Sequence, residues 1–263
     1  MSKIRVLVHG ALGKMGQTVI AAVGQELDME LSGAVDTNAI ADSLSLPNGC
    51  HIPLSANIDA MLDTHKPDVV VDFSTAKAVR SLAQAVLSRR VSLVSGTTGL
   101  SEDDLHFVNA IAKENVTGAI IASNFAVGAL VMMHIAKIAA KYFDYAEIIE
   151  QHHQFKLDAP SGTALSTAKS IAQTRGKSFI TPEQKESFQE SRGQKYEGIS
   201  IHSVRMPGIV ARQEILFGDM GQTLSIKHDA INRDCYMPGV MLSIREIIKQ
   251  NGLTVGLEKL LGL

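Results

Sequence analysis

Three side chains that carry positive charge or exchange protons near neutral pH crowd into one short stretch: His152, His153 and Lys156. Pro160, Ser161, Gly162 and Thr163 follow them. Proline does not sit inside a regular element, serine is a good helix N-cap, and Gly162 with Thr163 then opens a helix. Unpaired N–H groups and a partial positive charge at such a helix start form a cradle for a carboxylate. Two imidazoles and an amine beside it supply cationic charge and transferable protons. The segment reads as an acid–base site for a small anion. Adjacent histidines are also zinc ligands elsewhere, but neighbours on an extended strand point to opposite faces, and no Cys or acidic spacing completes a set, so no metal is expected. Two plainer readings stay open, Lys156 as a surface charge and Ser161 as a nucleophile. The second lacks the usual Gly-x-Ser-x-Gly turn.

A second constellation lies near the N-terminus. Gly10, Gly13 and Gly16 directly follow an apolar strand and open a helix. Side chains there would keep a pyrophosphate from the backbone, and the helix start attracts its charge. The spacing is G-x-x-G-x-x-G rather than the commoner dinucleotide form, and such a turn also serves as a bare strand-to-helix connection. Context favours the cofactor: Asp36 ends the second strand, 20 positions after Gly16, where a carboxylate can accept the hydroxyls of an adenosine ribose. Asp36 would repel a 2′-phosphate, and Thr37 offers no compensating charge, so NADH is preferred. Lys14 could reach that phosphate, which keeps NADPH open. Gly96, Thr97 and Thr98 follow a later strand, on the side of an open α/β sheet where ligands bind. Taken alone they read equally as a turn leading into a helix.

The elements that must position these groups alternate through the first half of the chain. Strands are expected at 4–8, 31–35, 69–73, 91–95 and 116–122, and helices at 15–23 and 75–87. Ser74 and Thr75 read as helix caps, and Ser101 with Asp104 as a capping box for a further helix. This is the βαβ pattern of a parallel sheet covered by helices. The pattern changes after Asn124. A long helix is expected at 127–141, a strand at 146–151 that runs into the histidines, a helix at 161–174, and an exposed polar loop at 181–197. Alternating runs at 199–204, 214–217 and 223–227 imply an antiparallel sheet with one face wetted or used in assembly. A helix at 238–249 is expected to close the chain.

The 263 residues suffice for two modest domains. Twenty-five basic against 27 acidic residues leave a net charge of −2, which gathers no polyanion, so nucleic acid is not an expected partner. Cys50 and Cys235 stand too far apart for a ligand pair or a disulfide framework. The most apolar stretch, 125–133, falls short of the roughly 20 residues of a membrane helix, and the N-terminal run is too short for a signal peptide. A soluble cytoplasmic protein is expected, with no membrane partner.

The run from His152 through Lys156 to Thr163 resembles the signature of the dihydrodipicolinate reductase family. Four further blocks agree in the right order: Gly10 to Gly16 with Ala11, Leu12, Lys14 and Met15 between the glycines; Gly96 to Gly99; Ala122, Ser123, Asn124 and Phe125; and His202 to Gly208. The resemblance implies a Rossmann-like dinucleotide-binding domain at 1–126, completed by 234–263. Residues 127–233 would form an α+β substrate-binding and tetramerisation domain with a mixed sheet. By the same carry-over His152 is the acid/base residue and Lys156 the proton donor, while His153, Gly162 and Thr163 hold the carboxylates of a small cyclic substrate. Gly10 to Met15, Asp36, Gly96 to Thr98 and Ala122 to Phe125 would line the cofactor. The implied reaction is NAD(P)H-dependent reduction of 4-hydroxy-tetrahydrodipicolinate, or its dehydrated form, to tetrahydrodipicolinate by a homotetramer. A reductase of another cyclic imino dicarboxylate and a non-catalytic NADH-binding sensor of the same fold remain alternatives. Asp36-Thr37 stands where some members carry Glu-Arg, which argues against dual cofactor use, and Arg212 stands where a histidine is frequent.

Overall fold

A computed structural model describes residues 2–46, 49–183 and 191–263. Its elements begin with β1 (Ile4–His9), α1 (Lys14–Val23), β2 (Met29–Val35), β3 (Ser43–Ser45), β4 (His51–Ser55) and α2 (Ile58–His65). Then come β5 (Val69–Asp72), α3 (Ala76–Leu87), β6 (Ser92–Ser95), α4 (Glu102–Glu114) and β7 (Gly118–Ile121). The second half holds α5 (Val127–Ala139), β8 (Tyr145–His152), α6 (Gly162–Arg175), β9 (Gln194–Tyr196), β10 (Ile199–Arg205), β11 (Ala211–Asp219) and β12 (Gln222–Ala230). A short 3-10 helix (Arg233–Tyr236), α7 (Met237–Ile247) and β13 (Gly252–Val255) end it. The chain divides into two compact units, Met1–Phe125 with Tyr236–Gly262, and Ala126–Cys235 with Leu263.

The first unit is an eight-stranded sheet in the order β13-β7-β6-β5-β1-β2-β4-β3, parallel throughout except for the β3–β4 pair. Strands β5, β6 and β7 are buried at every position, as expected where helices cover both faces of a parallel sheet. The chain leaves β1 toward β2 on one side and returns to its other side with β5. Ligands of open α/β sheets bind where the strand order reverses in this way, beyond the carboxyl ends. Helix α4 starts on the capping box: Ser101 Oγ accepts from Asp104 N–H, and Asp104 accepts from Ser101 N–H. Thr75 occupies the N-cap of α3 without a side-chain cap bond, and Ser74 Oγ is buried without a partner, so neither hydroxyl caps that helix.

The chain does not close on a helix. Strand β13 follows α7 and pairs parallel with β7, Gly252 opposite Gly118. Three residues between Gly252 and Gly256 give too little alternation to announce a strand, and β3 and β4 are similarly brief. Helix α7 lies close on the end of the 122–125 segment: a Cβ on Gly239 would sit 2.2 Å from Phe125 O.

The second unit is a five-stranded sheet, β12-β11-β8-β10-β9. Its core joins Ile148, Ile199, Ile201, Ile215 and Phe217 of the strands to Ala164, Ala168 and Ile171 of α6 and to Met132 and Ala136 of α5. The sheet is mixed, as the family resemblance implied and unlike the antiparallel sheet read from alternation, because β10 runs parallel to β8, from Ser200 opposite Glu147 to Arg205 opposite His152. The expected loop at 181–197 contains β9, antiparallel to β10, while its residues 184–190 lie outside the described residues. Most of β12 is exposed.

Candidate active site

In the first unit the glycine turn is built for close approach. Gly10 has φ +74°, and a Cβ there would meet Phe73 O at 2.8 Å. A Cβ on Gly16 would lie 2.1 Å from Gly10 O, so only glycine lets α1 settle on its own turn. The N–H groups of Gly10 and Ala11 both donate to Val35 O, at 2.9 and 3.1 Å. Gly13 is the N-cap of α1, which has no capping side chain and no acidic residue in its first turn. Its first-turn donors are left to an external anion.

Asp36 sits beside this turn, 8% exposed. Its Oδ2 accepts from Leu12 N–H at 2.9 Å, and its Oδ1 accepts from the backbone and side-chain N–H of Asn38, at 2.9 and 3.2 Å. A carboxylate has about four lone-pair positions, and three are engaged. A ribose therefore finds one acceptor position on Asp36 rather than two, unless Asn38 swings away. Across the turn the Phe73 ring covers Gly96, where a Cβ would lie 2.1 Å from a ring carbon, and meets the Phe125 ring at 5.6 Å. The structure thus joins Gly10, Gly96 and Phe125 through one residue, Phe73. Within this group Ala11, Thr97, Ala122 and Phe125 are buried, while Gly13, Lys14, Thr98 and Ser123 are exposed and Leu12, Met15 and Asn124 are partly so. A bare anion cradle, an uncapped helix and the unpartnered buried hydroxyl of Ser74 fit a dinucleotide.

In the second unit β8 delivers His152 at its last position, and the loop to α6 carries the rest. His152 Nδ1 lies 2.6 Å from Glu150 Oε2. An ionised carboxylate only accepts, so Nδ1 holds the proton and Nε2 is the nitrogen that can exchange one with a ligand. Glu150 has no exposed surface. Its Oε1 accepts from Ser161 N–H at 3.1 Å, and Arg205 grips both oxygens, at 2.8 and 2.8 Å. Burial pushes this carboxyl upward, but the bonds from His152, Arg205 and Ser203 outweigh it and hold it at about 2.

Arg205 also donates to two carbonyls of the loop between β8 and α6, Asp158 O at 2.6 Å and Lys156 O at 3.3 Å. Lys156 Nζ donates to Asp158 Oδ1 at 2.8 Å, and that bond first of all holds the Asp158 carboxyl below its ordinary value. Ser161 caps α6 by accepting from Ala164 N–H at 3.2 Å, which is its role in place of a nucleophile's. No acidic residue stands in the first turn of α6, and a Cβ on Gly162 would meet nothing within 4 Å. His153 Nδ1 is buried without a partner. Sequence reasoning passed over Glu150 and Arg205. Glu150 carried no local signal beyond an acidic residue near the end of a strand, and Arg205, 55 positions away, lies in the His202–Gly208 block without any sign of its partner.

Comparison with known proteins gives one answer along the whole length. Residues 4–125 match the family model for the N-terminus of dihydrodipicolinate reductase, and residues 128–261 match that for its C-terminus. A 4-hydroxy-tetrahydrodipicolinate reductase of Dehalococcoides mccartyi is 48% identical over 264 residues, covering 100% of both chains. One of Desulfitobacterium hafniense is 44% identical over 268 residues, covering 99% of this chain and 100% of its own. The solved structure described as dipicolinate-bound dihydrodipicolinate reductase from Paenisporosarcina sp. TG-14 superposes with a TM-score of 0.87 at 42% identity, over 98% of this chain and 99% of that one. An amine dehydrogenase of Mycobacterium smegmatis, at 13% identity and a TM-score of 0.64, shares the fold alone. With a glycine turn at the sheet's switch point, a histidine–lysine loop ahead of α6, and both family models matched in order, the chain belongs to the dihydrodipicolinate reductase family.

Proposed function

We propose that this chain reduces 4-hydroxy-tetrahydrodipicolinate, or its dehydrated form, to tetrahydrodipicolinate in lysine and diaminopimelate biosynthesis, as a cytoplasmic homotetramer that prefers NADH. The observation that carries the reading is the locked imidazole: Glu150 fixes the tautomer of His152 at 2.6 Å, beside the start of α6. His153, with its unpartnered nitrogen, and the open first turn at Gly162 and Thr163 hold the two substrate carboxylates. The dipicolinate named in the 42%-identical structure is a compact dicarboxylate of the same class.

A nicotinamide cofactor held by the glycine turn would supply a hydride. In the dehydrated substrate, which the hydroxylated form becomes on loss of water, hydride addition to the conjugated C=C–C=N system leaves an electron pair that one proton must quench, and the protein provides that proton. Lys156 donates it from Nζ after leaving Asp158, while His152 exchanges protons through Nε2 and adds cationic stabilisation. The preference for NADH rests on Asp36, whose charge lies where a 2′-phosphate would come. Lys14, exposed at the start of α1, keeps NADPH usable. The exposed strand β12 supports assembly through the second unit's sheet, and light scattering is expected to return the mass of four chains.

The direct test is loss of NADH absorbance on adding substrate freshly made by the preceding synthase. Wild-type protein is expected to consume NADH, and Lys156→Ala to lose turnover while still binding it. No consumption by wild type would reject the activity, and undiminished turnover in Lys156→Ala would reject the proton donor.

A further inference from the structure

Asp72 ends the apolar strand β5 with no exposed surface. Four donors converge on it. His9 Nδ1 lies 2.8 Å from Oδ1, Ser74 N–H donates to Oδ1 at 3.1 Å, and the hydroxyls of Ser95 and Thr97 each donate to Oδ2 at 2.8 Å. Ser95 Oγ also accepts from Thr97 N–H at 3.2 Å. Burial pushes the Asp72 carboxyl upward, yet the bonds from His9, Ser74 and Ser95 hold it below its ordinary value.

These donors come from the carboxyl ends of three neighbouring strands, β1, β5 and β6. His9 immediately precedes Gly10, Ser74 lies in the connection that covers Gly10, and Ser95 and Thr97 flank Gly96. One carboxylate is thus bonded to the strand end before the glycine turn, to the connection after β5, and to both the end of β6 and the loop that follows it. We propose that Asp72 is a positioning residue of the dinucleotide site, holding the glycine turn, the 73–75 connection and the Gly96–Thr98 loop in one fixed arrangement. The proposal rests on the nicotinamide-cofactor reading of this unit. It assigns Asp72, His9 and Ser95 a role in cofactor affinity although none of them need touch the cofactor. Preorganised loops spare a ligand the cost of ordering them.

The chemistry of the donors sets the test. Hydroxyl groups both donate and accept, so in Asp72→Asn the new amide can occupy the Oδ2 position and donate to Ser95 and Thr97, while its oxygen still accepts from His9 and Ser74. In Asp72→Ala all four bonds are lost. Dissociation constants for NADH, read from its own fluorescence in this chain without tryptophan, are expected to rise about ten- to a hundredfold in Asp72→Ala. They should stay within about threefold of wild type in Asp72→Asn. At saturating NADH the turnover number of Asp72→Ala should change far less than the affinity. Ser95→Ala, a small buried replacement that folds readily, is expected to weaken NADH about threefold or more. Ser101→Ala, which uncaps α4, serves as a destabilised control with unchanged affinity.

Wild-type affinity in both Asp72→Ala and Ser95→Ala overturns the proposal, as does an Asp72→Asn variant as impaired as Asp72→Ala. Loss of affinity in step with melting temperature, shared by the Ser101→Ala control, assigns Asp72 to stability and likewise overturns it. A wild-type protein that binds neither NADH nor NADPH instead refutes the cofactor reading itself.

Discussion

Replacing Glu150 by glutamine tests whether His152, the proposed acid–base residue, is held by design. The side chain is fully buried, and its lone pairs take bonds from His152, Ser161 and, on both oxygens, Arg205, with Ser203 adding to them. Glutamine keeps the shape but turns one oxygen into an NH2 that faces donors which cannot reverse. It also leaves the Arg205 guanidinium without its counter-charge. Breaking one side of a buried pair typically costs about 3–5 kcal/mol. Linkage gives a similar figure: a carboxyl held at about 2 against an ordinary 4.5 corresponds to about 3 kcal/mol. Because the folded-state value is depressed, this stability is present above pH 4.5 and drains away as the pH falls toward 2. Urea unfolding should therefore show Glu150→Gln about 3 kcal/mol less stable than wild type at neutral pH, with the gap closing between those two values. Turnover should fall about a hundredfold, the scale of a lost general acid–base group, with NADH affinity unchanged. Equal stability at neutral pH together with wild-type turnover would refute the argument.

Arg205→Lys should lose most turnover while NADH still binds, since an ammonium cannot grip Glu150 at two points and reach the Asp158 and Lys156 carbonyls as well; steady-state kinetics with cofactor titration checks it. Gly10→Ala should lose NADH affinity about tenfold or more, because φ is +74° and the added carbon would lie 2.8 Å from Phe73 O; fluorescence titration reads this. Ser101→Ala should cost about 1 kcal/mol of unfolding free energy through the lost cap of α4 and leave turnover alone. Asp36→Ser should move the ratio of kcat/KM for NADPH over NADH upward by about tenfold, roughly 1.4 kcal/mol, in paired assays with the two cofactors.

The two constellations were legible because each packs its chemistry into a few consecutive residues. A glycine turn between a strand and a helix, and a His-His-x-x-Lys run before a helix cap, need no tertiary information. The partners that make them work are long-range. Arg205 reaches Glu150 across adjacent strands β10 and β8, and nothing near residue 150 announces it. The parallel register of β10 was hidden for the same reason, since alternation reports a half-buried strand but not its neighbour's direction. Strands β3, β4 and β13 escaped because they are short and lack the continuous apolar run that announced β5: Ser43–Ser45 is mostly polar, Pro53 interrupts His51–Ser55, and Gly252 opens the last. Ser74 and Thr75 misled in the other direction: their types suit a cap, but the hydroxyl of Ser74 is buried and unbonded and that of Thr75 makes no cap bond.

Each unit ends an apolar stretch of strand on or near a carboxylate that is then entirely buried, Asp72 in β5 and Glu150 in β8. Burying such a charge is costly unless its lone pairs are filled, and in both cases the filling groups come from the ends of strands and the loops just beyond them. The acid therefore converts the stability of the sheet into fixed loop positions. The two differ in how much that arrangement depends on the charge itself. Asp72 is served largely by hydroxyls and one imidazole, groups that can reverse the direction of a hydrogen bond. Glu150 is served by an imidazole and a hydroxyl too, but each of its oxygens also takes an arginine N–H, which cannot reverse, whereas Asp72 Oδ2 meets hydroxyls alone. The amide replacement should consequently be tolerated at residue 72 and not at residue 150. Chemically identical changes at equally buried acids are then separated by the donors alone, and equal outcomes at the two positions would show that burial, rather than donor chemistry, governs both.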